Sequence, residues 1–511
     1  MRALISVYDK SGLVPFARGL AELGCELVAS GGTAAALEEV GLAVTRVEDV
    51  TGFPEMLGGR VKTLHPRIHA GILARRELEE DAAALAEHGI SPFELVCVGL
   101  YPFELAAQSP DASEQDVVEM IDVGGPAMLR AAAKSHAHVT TVCRRQDYEP
   151  VLAELRSRGS TSLETRRSLA GVAFATTAAY EAAIARWFRR GDAFPETLPL
   201  AFDKSLDLAY GENPHQAAAY YAERGLRTHL LARVEQLQGK PLSFNNLNDL
   251  SAARLLVREL GDAAACVVVK HANPCGVAVA ETIERAFERA LAADPVSAYG
   301  GVVVLNRAVS AALGELLAGQ FLEVLFAPGY DELAIEALSR RTTLRVLDDT
   351  ERRVLVETEL DYRRVLGGLL VQERDWEVAG REGMEVVCGS VPDGHWADVL
   401  FSWRVVKHVT SNAIVLAQDG QTIGIGAGQM SRVDAVRIGV EKARELGHPL
   451  EGAVLASDAF FPFADGPQLA LEVGVSVLVQ PGGSKRDAEV IQAVEAAGAA
   501  MVFTHRRHFR H

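Results

Sequence analysis

Apolar residues recur along this chain in two alternating rhythms. Ala3-Leu-Ile-Ser-Val7 is a short, nearly continuous apolar run, which predicts a buried strand. Gly12 to Leu23 spaces its apolar residues three and four apart, as a helix does. Glu26-Leu-Val-Ala29 returns to the strand pattern, which recurs at Leu95-Val-Cys-Val98 and Val139-Thr-Thr-Val142. Strands alternating with helices predict a mostly parallel sheet in a doubly wound α/β domain. Arg189-Arg-Gly-Asp-Ala-Phe-Pro-Glu-Thr-Leu-Pro199 follows a long Ala-rich helix, and its Pro and Gly content predicts a linker. Two domains are expected, residues 1–195 and 200–511, with α/β alternation resuming in the second. Two segments there echo one another, ending in Lys270-His271 and Lys407-His408 with Asn273 and Asn412 a few residues on. The echo suggests two similar subdomains.

Composition narrows the function classes. A chain of 511 residues can bury more than one core. Hydrophobic residues at 49% and charged residues at 23% fit a soluble globular protein and not a disordered one. No apolar stretch is both long and clean enough to span a bilayer. The most apolar, Leu169 to Ala185, is broken by Thr176, Thr177, Tyr180 and Glu181. The start runs directly into a strand without a signal-peptide cleavage pattern, so a cytoplasmic protein with no membrane partner is expected. A formal charge of -17 excludes a general nucleic-acid binder. It still allows a local cationic cluster to attract a small anion. Cys25, Cys97, Cys143, Cys266, Cys275 and Cys388 are scattered without a Cys-x-x-Cys, which predicts reduced thiols.

Candidate chemistry begins at Val267-Val-Val-Lys270-His271-Ala-Asn-Pro-Cys-Gly276. A buried strand that stops at Lys-His and then turns at Asn-Pro and Gly puts ionisable groups at the carboxyl edge of a sheet, where open α/β sheets bind ligands. Lysine there can stabilise an oxyanion, and histidine can move a proton near neutral pH. Ser30-Gly31-Gly32-Thr33 joins a strand to a helix; it suits a phosphate, or Thr33 simply caps the helix. Gly58 to His69 gathers Arg60, Lys62, His65, Arg67 and His69 among Gly and Pro and reads as anion recognition. His65 and His69 have no carboxylate or Cys at metal-ligand spacing. Asp122 precedes a Gly-Gly-Pro turn at a helix start and Lys134 ends that helix. They could exchange protons if folded together, or merely complement the helix dipole. Gly424-Ile-Gly-Ala-Gly-Gln429 fails as a dinucleotide fingerprint because the third Gly position holds Gln429, and there is no Walker A pattern. His271-Ala-Asn-Pro-Cys275 suggests a zinc deaminase. Asn273 and Ala278 stand where its Glu and second Cys belong, so zinc is rejected.

Six longer motifs, in order, resemble one known family: Val61-Lys-Thr-Leu-His-Pro66, Asp122-Val-Gly-Gly-Pro126, Tyr210-Gly-Glu-Asn-Pro-His-Gln216, Val269-Lys-His-Ala-Asn-Pro-Cys-Gly276, Gly424-Ile-Gly-Ala-Gly-Gln-Met-Ser-Arg432 and Arg507-His-Phe-Arg-His511. This is the bifunctional purine-synthesis family that joins AICAR transformylase to IMP cyclohydrolase. The resemblance runs from Ser6 to His511. It implies an N-terminal cyclohydrolase domain with a methylglyoxal-synthase-like three-layer α/β fold. It also implies a C-terminal transformylase of two cytidine-deaminase-like subdomains without zinc, and a homodimer. The implied reactions are formyl transfer from 10-formyltetrahydrofolate to AICAR, giving FAICAR, and closure of FAICAR to IMP with loss of water. No catalytic metal is implied, with room for a structural monovalent cation.

The same resemblance distributes the roles. In the transformylase His271 accepts the amine proton, Lys270 stabilises the formyl oxygen and Asn412 orients the formyl group. Arg432, Arg507, Tyr210 and Gly211 match nucleotide-binding positions, with Phe460, Asp465 and Asn246 around the base and Glu323 as a folate-side acid. In the cyclohydrolase Lys62, Tyr101, Asp122 and Lys134 share proton transfer and oxyanion stabilisation. Lys10, Ser11, Ser30, Gly31, Gly32, Thr33, Arg60 and Thr63 hold phosphate and ribose. The chain departs from the family at three positions: Gly99 replaces an Asn, Ala209 an Arg and Tyr8 a Ser.

Overall fold

Strand Arg2–Val7 is buried on both faces, with Ala3, Leu4 and Ile5 fully covered, as a parallel sheet between helices requires. It is the centre of a five-stranded, all-parallel sheet in the order Thr45–Arg46, Glu26–Ala29, Arg2–Val7, Leu95–Gly99, Thr140–Val142. Phe16 and Leu20 of helix Leu13–Glu22 cover one face together with Leu152 and Leu155 of helix Tyr148–Arg158. Ile68, Met128, Leu129 and Ala170 cover the other. The expected strands and first helix therefore lie within a residue or two of their sequence positions, in three layers. The computed structural model describes residues 1–224, 231, 234–349 and 359–511.

The apolar segment Leu169 to Ala185 lies inside helix Leu163–Phe188, whose 26 residues are long and apolar enough to cross a membrane by length and composition alone. This corrects the expectation that no stretch qualifies. Its buried residues include Leu169, Ala170, Ala173, Tyr180 and Ile184, and it packs on helix Gly124–Lys134. No element occupies the expected linker: the helix ends at Phe188 and the next strand starts at Phe202. The chain divides into two compact units at Asp203, with Glu223 and Arg224 returning to the first. Arg224 is held there by Asp203 at 2.5 Å and Glu104 at 3.6 Å.

The second unit is built on a twelve-stranded mixed sheet whose order reads as a palindrome of two halves. One half runs inward from its edge as Glu385–Cys388, Ala500–Phe503, Val477–Gln480, Val454–Ser457, Ile414–Gln418 and Gln421–Gly426. The other continues outward as Asn273–Ala280, Ala264–Lys270, Val302–Leu305, Val324–Ala327, Arg345–Asp348 and Glu235–Gln238. Each half begins with its edge strand, Glu235–Gln238 or Glu385–Cys388, and runs on into a helix, Phe244–Glu259 or Trp396–Val406, a hairpin with a two-residue loop and a second helix. The expected pair of similar subdomains is thus present. Its sequence echo is not the right one. Lys407-His408 closes a helix, and the counterpart of Lys270-His271 is Gln418-Asp419 at the second hairpin's tip.

The expected turn at Asn-Pro and Gly is also displaced. The hairpin turns on His271-Ala272, and Asn273 already pairs with Lys270 in the returning strand. Pro274 is accommodated beside an irregularity in the ladder between Pro274 and Gly276. A Cβ on Gly276 would lie 1.9 Å from the Ala290 carbonyl oxygen, so glycine is what lets helix Ile283–Ala293 lie against this strand.

Candidate active sites

In the first unit, the carboxyl ends of Arg2–Val7 and Leu95–Gly99 lie side by side, with Val7 paired to Gly99. That is where strand order reverses in a doubly wound sheet. Ser30 occupies the N-cap position of helix Gly31–Glu39 without a side-chain cap bond. Thr33 does not cap; its hydroxyl bonds both the N–H and the carbonyl of Val7, each at 3.1 Å. Gly31 has φ 42°, and a Cβ there would lie 2.2 Å from the Lys62 ammonium. Lys62 therefore lies directly over the glycine turn, and Gly32 faces open space. Lys10 reaches Thr33 at 3.3 Å, and burial lowers its pKa, an effect to which the nearby Lys62 charge adds.

Tyr101 and Asp122 stand on the same edge. Asp122 accepts the Gly125 N–H at 2.7 Å, and its own N–H donates to the Tyr180 hydroxyl at 2.9 Å. Burial raises its pKa above that of an exposed carboxyl, against backbone N–H donation from Gly125 and Tyr101. Burial likewise raises the Tyr101 phenol, and the Asp122 charge adds to the effect. Thr63 is buried, its hydroxyl 2.7 Å from where a Cβ on Gly124 would stand.

Two expected members of this site, Arg60 and Lys134, are placed otherwise. Arg60 is exposed and bonded to Glu119, so its guanidinium is turned to a surface ion pair. Ser11 is engaged through its backbone N–H with Asp9 at 2.9 Å. Lys134 is exposed at the far end of the 11-residue helix Gly124–Lys134, about 15 Å along the axis from the Asp122 end. The structure does not bring it to Lys62, Tyr101 and Asp122. Glu55, by contrast, was missed in the sequence and pairs with Lys62 at 2.5 Å. Only its place in the Gly- and Arg-rich loop could have suggested it.

In the second unit, Lys270 is half-buried and donates to the Gly300 carbonyl at 2.7 Å, while His271 is exposed at the hairpin tip. Asn273 accepts the Thr410 N–H at 2.8 Å and so ties this tip to the segment carrying Asn412. Asn412 donates to the Gln429 carbonyl at 2.8 Å and accepts from Arg432 at 2.6 Å. Arg432 is buried, its guanidinium also held by Ser457 at 2.7 Å and the fully buried Asp458. That engagement makes Arg432 a support for Asn412. Asn412, Arg432, Phe460, Asp465 and Arg507 line one cavity of about 500 Å³. Lys270, His271, Cys275 and Lys442 line another of about 260 Å³.

Asn246 is not among the residues that line the cavity of Phe460 and Asp465. It is buried in a capping box with Ser243 and donates to Glu323 at 2.9 Å. The Tyr210-Gly211 loop packs on the same helix start, with the Phe244 N–H donating to the Tyr210 carbonyl at 3.1 Å. Asp249, which nothing in the sequence singled out, accepts the Ala272 N–H at 2.6 Å.

Comparison with known proteins finds two family models, whose matches meet between residues 127 and 132, inside the first unit. A family model described as the AICARFT/IMPCHase bienzyme matches residues 132–442, and one described as an MGS-like domain matches residues 12–127. The Bifunctional purine biosynthesis protein PurH of Acidithiobacillus ferrooxidans is 50% identical, over 100% of this chain and 99% of its own. A solved structure titled crystal structure of ForH is 42% identical over 37% of this chain and 98% of that chain, with a TM-score of 0.33.

Proposed function

The chain belongs to the AICARFT/IMPCHase bienzyme family, and on that premise we propose that it carries out the last two steps of IMP synthesis. The second unit transfers the formyl group of 10-formyltetrahydrofolate to AICAR, and the first closes FAICAR to IMP. The observation that carries the reading is the Lys270-His271 tip tied through Asn273 to the Asn412 segment. On this reading the tie lets Lys270, His271 and Asn412 serve one formyl transfer.

The AICAR amine is a poor nucleophile because its ring withdraws electrons, so its proton must leave as it attacks the formyl carbon. His271 takes that proton. Lys270 exchanges its bond to the Gly300 carbonyl for the developing oxyanion. The bond from the formyl carbon to the folate nitrogen then breaks, and tetrahydrofolate leaves with a proton. In the first unit the carboxamide nitrogen of FAICAR attacks its own formyl carbon, and water is lost after proton transfer. Holding both groups together supplies much of the rate, because the attack is intramolecular. Lys62, Tyr101 and Asp122 serve the proton transfers, and Lys10 with the Ser30–Thr33 turn holds the phosphate. Lys134 is assigned to this reaction by the family resemblance alone. The active protein is a homodimer, and it resides in the cytoplasm.

The test is ultraviolet absorbance of the purified protein with AICAR and 10-formyltetrahydrofolate, followed by chromatography. IMP with equimolar tetrahydrofolate is expected. IMP from added FAICAR without any tetrahydrofolate would mean that only the first unit is competent, and would make Ala209 the position that disables the other. Formation of neither IMP nor tetrahydrofolate would overturn the reading.

A further inference from the structure

The two hairpins of the palindromic sheet are built alike. Lys270 pairs with Asn273 across His271-Ala272, and Gln418 pairs with Gln421 across Asp419-Gly420. All four central residues have positive φ: 55° and 59° in the first turn, 52° and 69° in the second. Two-residue hairpin loops of this kind favour Asp-Gly or Asn-Gly, because L side chains resist the left-handed region. The second hairpin has the favoured pair. The first has His-Ala, a costly choice, at the residue assigned to take the proton.

Each turn is gripped by a carboxylate from the helix that precedes it. Asp398, on Trp396–Val406, accepts the N–H groups of Asp419 at 2.8 Å and Gly420 at 2.6 Å. Asp249, on Phe244–Glu259, accepts the Ala272 N–H at 2.6 Å and lies close enough to the His271 N–H for that donor to act on its titration. The same device thus appears twice, once under an easy turn and once under a strained one.

We propose that Asp249 is a positioning residue of the formyl-transfer site, a carboxylate clamp that holds His271 in a left-handed turn its own side chain disfavours. It acts through the backbone and touches neither substrate. Without the clamp the turn relaxes toward ordinary φ values and the imidazole leaves its place beside Lys270. This inference rests on the assignment of formyl transfer to this site.

The experiment compares Asp249→Asn, Asp398→Asn and the double variant Asp249→Asn/Ala272→Gly in both half-reactions. In Asp249→Asn, kcat for formyl transfer is expected to fall about 100-fold, the scale of a small misplacement of a reacting group, with KM for AICAR little changed. Adding Ala272→Gly should restore part of that kcat, because glycine accepts positive φ without the clamp. Asp398→Asn should keep wild-type kcat. Closure of supplied FAICAR, measured on the same samples, should be unchanged in all three, and an unaltered denaturant midpoint for the second unit checks that it folds. Wild-type kcat in Asp249→Asn would overturn the proposal. So would a loss that glycine at 272 does not relieve, since Asp249 would then act on the proton itself. A wild-type protein that makes no FAICAR would instead overturn the functional assignment.

Discussion

Asp122 illustrates how burial prepares a carboxyl for proton transfer at a cost to the fold. Its pKa lies above the 3.8 of an exposed Asp, so the folded protein holds this proton more tightly than the unfolded chain. Stability therefore falls as pH rises from 3.8 through the folded value and stays lower above it. Asp122→Asn removes the buried charge and keeps an oxygen for the Gly125 N–H. It should raise the melting temperature of the first unit near neutral pH by about 2–4 °C, with no gain below pH 3.8, while abolishing FAICAR closure. A second case concerns two departures from the family pattern. Tyr8 and Tyr101 have ring centroids 5.5 Å apart, and the Tyr8 N–H donates to the Gly99 carbonyl at 3.1 Å. A Cβ on Gly99 would lie 3.3 Å from the Val7 Cβ and 3.5 Å from the Tyr8 backbone nitrogen, so the two departures are in contact. Tyr8→Ser and Gly99→Asn should each raise KM for FAICAR, and the double variant should recover, with a coupling of about 1 kcal/mol. Additive losses would show independent sites. The sequence identifies the kinds of side chain at this edge, but it cannot show which are engaged elsewhere. The hydroxyl of Thr33 is taken by a strand 26 positions earlier and the guanidinium of Arg60 by Glu119, 59 positions later.

Elements were legible where local pattern and tertiary placement agree. The parallel strands of the first unit are buried on both faces, so their apolar runs mark them directly. The hairpin at Lys270 was misread because Asn-Pro and Gly are strong turn residues while His-Ala is not. Tertiary contacts decided it: Asn273 is drawn into the strand by Thr410, and Gly276 is needed for a helix. Gly276→Ala follows from that packing. With the Ala290 carbonyl 1.9 Å from the new methyl, helix Ile283–Ala293 must shift, at a cost of about 2–3 kcal/mol. Denaturant unfolding should register that loss, and an unchanged midpoint would mean that the helix yields freely. The repeat in the second unit was inferred from Lys-His pairs that do not correspond. Its true signature is the order of elements, which no short motif carries.

At the scale of the molecule there are two units with their own cores, and the proposed function gives each its own chemistry. His271→Ala should abolish formyl transfer and leave closure of supplied FAICAR intact; equal collapse of both would sink the division of labour. Division into units follows from composition near residue 200, whereas the return of Arg224 to the first unit depends on its ion pairs. The palindromic sheet has one more consequence. Its two halves meet at a seam with a single registered pair, Ala278 with Gln421, where the Val277 N–H donates to the Thr422 hydroxyl and not to a carbonyl. The Val279 N–H does reach the Gly420 carbonyl at 2.9 Å, but around Val277 the middle of this sheet is chemically two edges facing one another. Deuterium should therefore enter the backbone at Val277 before it enters the flanking strands Val267–Val269 and Val415–Leu416, the reverse of the usual gradient from rim to centre.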